Sequence, residues 1–228
     1  MRSPTLLTDA ALVAGKDLRI ELASRVAVNQ VLPYAVVVLV LFAFALDPDR
    51  GTLAVAAPGL FWIAVVLCTL LATQRAFAIE SGDGTRDGLR LSGLDPAGIF
   101  LGKAAALAAQ LVVVEVLLLA GIAFLYGTAL HTPWLLLVTC VLATIGLAAA
   151  GTAYGAMSAG LAVRETLLPL LVLPVLAPLL LAATRAFEAA FAGTPGEAGT
   201  WLAVLVTFAT LYVAFGVFGF GPLLEEGA

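Results

Sequence analysis

The sequence predicts an all-α membrane protein of six transmembrane helices, and three observations carry that prediction. The first is a set of six long apolar runs, at about 28–46, 53–73, 104–126, 133–159, 167–183 and 201–223. Each can cross a hydrocarbon core of about 30 Å at about 1.5 Å per helical residue. The second is composition: 62% of residues are hydrophobic and 11% charged, with a mean hydropathy of +1.11, outside the range of soluble domains. The third is the distribution of Lys and Arg. Arg2, Lys16, Arg19, Arg25, Arg75, Arg86, Arg90, Lys103 and Arg164 fall in alternate gaps, whereas the other gaps hold only Arg50 and Arg185. Positive loops stay cytoplasmic, so both termini are expected in the cytoplasm. Six spans in 228 residues leave no room for a separate soluble domain, and residues 1–228 read as one transmembrane domain.

The chain opens with a predicted interfacial helix over 9–27. Leu18, Leu22 and Val26 make an apolar stripe at i, i+4 spacing, with Lys16, Asp17, Glu21 and Arg25 on the remaining faces, the pattern of a helix lying in the membrane surface. The chain then turns into the first span near Pro33. Asp47-Pro48-Asp49-Arg50-Gly51 is a run of turn formers and joins the first two spans tightly.

Residues 74–103 are the longest polar stretch and read as a cytoplasmic loop. Its first part, through Glu80, prolongs the second helix, and the glycines at 82 and 84 end it. Thr85 or Asp83 can cap a short helix through about Leu91, closed by Gly93. That helix would expose Arg86, Asp87 and Arg90 and leave Leu89 and Leu91 to a partner. Asp95 is placed to cap the third span, with Pro96 in its first turn. The fourth span carries the GxxxG pair Gly151 and Gly155, which permits close helix approach and reads first as packing within the monomer. The fifth span holds Pro169, Pro174 and Pro178. Each removes a backbone hydrogen bond, which predicts a kinked or broken helix. Residues 184–200 form an outer segment in which Phe187 and Phe191 can make a short helix. Trp134 and Trp201 open the fourth and sixth spans as interfacial anchors would.

Few side chains in this composition carry chemistry. Glu115 lies in the middle of the third span, where an ionised carboxylate facing lipid costs about 2.5–3.5 kcal/mol. It must be protonated, paired, or turned to a polar cavity. A gating or proton-linked role and a structural hydrogen bond inside the bundle are both open. His131, the only histidine, is a poor metal ligand alone and reads as an interfacial polar anchor. Cys68 and Cys140 fall inside spans without a CxxC or Cys/His cluster and read as apolar fillers. There is no GxxxxGK[ST] phosphate loop, so the chain is expected to hydrolyse no ATP itself. No Ser/His/Asp set, HExxH helix or intramembrane aspartate pair is present, and no catalytic or metal residue is assigned.

Lys16-Asp17-Leu18-Arg19-Ile20-Glu21, Asn29-Gln30-Val31-Leu32-Pro33, Ala45-Leu46-Asp47-Pro48, Ala57-Pro58-Gly59-Leu60-Phe61-Trp62 and Ser92-Gly93-Leu94-Asp95-Pro96 together resemble the haem exporter protein B (CcmB) family over essentially the whole chain. Leu173-Pro174-Val175-Leu176-Ala177-Pro178 is similar to that family's proline-bearing fifth span. The resemblance implies an ABC-2-type permease fold in the bacterial inner membrane. It further implies a partner ATPase subunit (CcmA), association with CcmC and CcmD, and ATP-driven release of the haem-loaded chaperone CcmE during cytochrome c maturation. ATP would be bound by the partner, and haem handled by the complex rather than held by this chain. By position, Arg86, Asp87, Gly88, Leu89, Arg90, Leu91, Ser92, Gly93 and Leu94 would be the coupling helix docking the ATPase, and 9–27 the connecting helix. Two six-span halves per transporter imply a homodimer. An ABC-2 permease for another substrate and a non-transporting scaffold subunit are the alternative readings.

Overall fold

A computed structural model describes residues 5–24, 27–45, 50–80, 93–127, 130–158 and 164–226. Every regular element among them is helical. In chain order they are α1 (Leu6–Ser24), a π-helical turn (Ala27–Val31) leading into α2 (Leu32–Ala45), and α3 (Arg50–Glu80). There follow α4 (Pro96–Gly121), prolonged by a π-helical turn (Ile122–Tyr126), α5 (Pro133–Ser158), α6 (Arg164–Ala192), a 3-10 turn (Pro195–Ala198) and α7 (Gly199–Glu226). Five helical stretches are long and apolar enough to cross a membrane: Thr52–Phe77, Pro96–Tyr126, Pro133–Ser158, Pro169–Ala192 and Pro195–Pro222. The first predicted span, 28–46, appears as the shorter apolar stretch Asn29–Ala45.

The bundle is organised around α5, which packs against α3, α4, α6 and α7. Small side chains make this possible. Gly146, Ala148, Ala149, Ala150, Gly151, Ala153 and Gly155 are all buried, so neighbouring backbones come close and dispersion contacts replace the missing hydrophobic drive between helices in lipid. At one end, Phe61, Trp62 and Phe187 form a mutual ring cluster with centroids 4.8–5.0 Å apart. At the other, the Phe100 ring lies over Gly216, where any Cβ would clash, and stacks on Phe220 at 5.6 Å.

Two expectations are corrected here, the place of Lys103 and the outer segment 184–200. α4 starts at Pro96, with Asp95 as its N-cap accepting from Ala97 N at 2.9 Å, the start that the Asp95-Pro96 pair predicts, so the apolar run 104–126 is only part of the helix. Lys103, placed by sequence in the loop, is therefore seven residues inside the helix and only 6% exposed. Of the two outcomes expected for the fifth span, a break is excluded: the helix runs from Arg164 through Ala192 with all three prolines inside. The Tyr212 hydroxyl donates to Val175 O, tying α7 to α6. The segment 184–200 is accordingly no separate outer helix. Phe187 is fully buried in the ring cluster, because α6 carries on for two turns past the predicted end of its span.

α1 meets the bundle through Asp9 and Val13, buried at 3% each, whereas Leu22 of the apolar stripe is 77% exposed. The buried face is set by α4, whose Gly98 and Gly102 let the α1 backbone approach. A Cβ on Gly98 would meet Asp9 Cβ at 2.9 Å, and one on Gly102 would meet Ala10 O and Val13 Cβ at 2.6 Å.

Candidate functional site

Charged side chains converge at the end of the bundle where α1 lies on the first turns of α4. The Asp9 carboxylate accepts from Asp95 N at 3.1 Å, so an acidic group of α1 sits at the N-terminus of α4, where four backbone N–H groups lack helical partners. Two turns along, Lys103 Nζ stands 3.5 Å from the Asp17 carboxylate, which also pairs with Lys16 at 3.0 Å. The same ammonium sits 5.2 Å above the Phe77 ring of α3, near enough for a cation–π attraction. Lys103 thus joins α1, α3 and α4 from a buried position. A buried cation is tolerated only when paired, and removing Asp17 would strip part of that pairing.

This junction flanks the segment that sequence singles out as the coupling helix. Arg86, Asp87, Gly88, Leu89, Arg90, Leu91 and Ser92 lie outside the described residues. Gly93 does not: it adopts a left-handed conformation with φ 68°, which a side chain would resist. Leu94 is half-buried against the core. From Gly93 onward the chain joins the bundle through Leu94 and the Asp9–Asp95 contact.

Glu115 is buried at 3% exposure. Thr144 of α5 donates to its Oε1 at 2.6 Å, and Cys140, one turn earlier on α5, lies within hydrogen-bonding reach of the same carboxyl. The carboxyl thus joins α4 to α5 instead of facing lipid. Gly151 and Gly155 face α3: a Cβ on Gly151 would sit 2.8 Å from Thr73 Oγ1, and one on Gly155 would sit 2.5 Å from the Phe77 ring. Both glycines are thus held in contacts within the chain. Pro169 and Pro178 are half-buried and Pro174 is exposed. At the opposite end of the bundle His131 meets the backbone carbonyl of Phe191 at 2.8 Å, linking the α4–α5 connection to the end of α6. Cys68 and Cys140 are buried free thiols. Among the described residues no cluster of three His, Cys, Asp or Glu side chains could hold a metal ion.

Sequence reading missed the residues that join α1 to α4. Gly98-Ile-Phe-Leu-Gly102 is itself a GxxxG followed at once by Lys103, and that signal was available. Its partner was not, because the spacing on α4 does not say which helix lies on it. Thr73 was also passed over, being one threonine within an apolar run.

A family model described as CcmB protein matches residues 9–226. The heme exporter protein B of Paracoccus denitrificans is 32% identical over 204 residues, covering 87% of this chain and 91% of that protein. The heme exporter protein B of Haemophilus influenzae is 29% identical over 198 residues, covering 86% and 90%. That of Pseudomonas aeruginosa is 29% identical over 187 residues, covering 82% and 84%. With apolar helices that cross the bilayer repeatedly and a match that runs through all of them, the chain belongs to the CcmB protein family and is a multi-pass transport protein of the inner membrane.

Proposed function

We propose that this chain is the permease subunit of an ABC-type complex for haem handling in c-type cytochrome maturation. A partner ATPase (CcmA) would supply the ATP hydrolysis, and the work would be release of the haem-loaded chaperone CcmE from a complex that also holds CcmC and CcmD. The family match across residues 9–226 is the observation that carries this reading. Two further features support it. The chain has no phosphate-binding loop of its own, so any ATP-driven step needs a partner. The segment between α3 and α4 is tied at its exit to α1 and α4 through Asp9, Asp95 and the half-buried Leu94, so a push on it would be transmitted to both elements as bodies.

In this reading α2 is the sixth span, with both termini in the cytoplasm and an ABC-2-type fold. Moving Lys103 into the bundle leaves eight Lys and Arg in the cytoplasmic gaps against two outside, so the positive-inside argument keeps its sign. Residues 86–94 are the coupling helix, and two copies of the chain serve two ATPases. The test is copurification. Substituting Asp87 by Arg together with Leu89 by Asp should abolish recovery of the ATPase subunit with the tagged permease from mild detergent. Recovery of the pair at wild-type ratio would place docking elsewhere.

A further inference from the structure

A cavity of about 60 Å³ lies between α1 and the α3–α4–α5 face. Ala106 and Leu107 give it apolar walls, whereas Thr73, Lys103, Gln110 and Thr152 bring polar groups to it and α1 contributes Asp17. Thr73 is the informative residue. It is 1% exposed, and its hydroxyl has no hydrogen-bond partner. Thr139 is the other buried threonine without a partner among the described residues, whereas three further helical threonines return their hydroxyls to the carbonyl four residues back: Thr69 to Val65, Thr184 to Leu180, Thr207 to Ala203. That is the ordinary local satisfaction of the group. Thr73 forgoes it and turns toward α5, where residue 151 is a glycine that leaves room for the oxygen. A buried hydroxyl left unpaired in a dry site is unfavourable, and such groups in folded proteins are normally met by protein or by ordered water.

We infer that this cavity is a hydrated site, holding a small cluster of waters that bond Thr73 Oγ1 and Lys103. A buried water needs polar partners and roughly 15 Å³ of space for its centre, so the cavity takes about four. Lys103 brings to the wall of the cavity an ammonium with three donors, some of them already met by protein partners. The contact with the Asp17 carboxylate, at 3.5 Å, is at the outer limit of a direct bond, where water competes. The ligand is therefore water, and the consequence is a solvent-bearing pocket between α1 and the bundle. The inference is independent of the proposed function.

The test uses thiol reactivity, since a thiol must ionise to react and ionises poorly in apolar surroundings. In the full-length protein in lipid nanodiscs, Thr73→Cys is treated with the small aminoethyl methanethiosulfonate. Cys68, five residues away on the same helix and fully buried, is the internal reference. The Thr73→Cys thiol is expected to react at least tenfold faster than Cys68. Adding Gly151→Ala, which fills the space beside the hydroxyl, should slow it by about the same factor without changing Cys68. Equal rates at positions 68 and 73 would overturn the inference, because a dry cavity or one filled by a lipid acyl chain protects both. Should the cysteine variant fail to insert, the wild-type protein decides. Hydroxyl-radical footprinting must oxidise Phe77, which lines the cavity, more than the fully buried Phe61. Equal protection of the two rings refutes hydration.

Discussion

Gly102→Ala is expected to loosen α1 from the bundle while leaving the transmembrane helices assembled. The added Cβ would stand 2.6 Å from Ala10 O and 2.6 Å from Val13 Cβ. Ordinary contact begins near 3.4 Å, so α1 must retreat by about 0.8 Å. One of the opposed atoms is backbone, so no side-chain rotation relieves the overlap. Overpacking of this kind costs about 1–3 kcal/mol, and the better helix propensity of Ala cancels because α4 is helical whether or not α1 is docked. Even the low end, about 1 kcal/mol of α1 docking, is roughly a fivefold rise in the undocked population. A retreat of this size also weakens the Lys103–Asp17 pair, already at 3.5 Å.

Gly15→Ala in α1 is the control. Nothing lies within 4 Å of its Cβ, so only the propensity gain of about 1 kcal/mol remains. Trypsin cleavage at Lys16 and Arg19 in nanodisc-held protein reads the open population when opening is fast relative to cleavage. Gly102→Ala should be cut about fivefold faster than wild type, and Gly15→Ala no faster. Cleavage of Gly102→Ala at the wild-type rate would refute the close approach of α1 and α4.

Two further outcomes test the packing. Thr144→Val removes the donor to a buried Glu115 carboxyl and should cost about 1–2 kcal/mol in denaturation by SDS from mixed micelles. In the Glu115→Leu background the same change should be nearly neutral, and a coupling of zero between positions 115 and 144 would sink the interhelical bond. Transport or maturation activity should be followed in Glu115→Gln and Glu115→Leu as well, since full activity in both leaves the carboxyl a purely structural role. Phe187→Ala empties the fully buried ring position between Phe61 and Trp62 and should destabilise by about 3–5 kcal/mol. A variant within 1 kcal/mol of wild type would contradict that cluster.

The helical ends show where sequence reading holds and where it stops. Asp95-Pro96 marks the start of α4 by local chemistry, a cap oxygen followed by a residue without an N–H, and the structure has the helix begin there. Lys103 was misplaced for a physical reason. A charge looks like a loop residue until a carboxylate on another helix is known to meet it. The prolines of α6 left the outcome open in the same way. Proline removes a bond from its own helix, yet α6 continues through all three, and no local pattern says whether a helix survives that loss.

Hydrophobicity and charge along the chain determined that it is helical, that it lives in a bilayer, and which gaps carry the positive residues, because those follow from transfer free energies summed over local runs. The small-residue pairs likewise announced that helices would pack closely. Only the tertiary structure decided that Gly98 and Gly102 receive α1, that Glu115 is met by Thr144, and that Lys103 and Thr73 share one cavity. Each of these is a contact between segments far apart in the chain, and in a nearly uniform apolar sequence no local pattern names the partner.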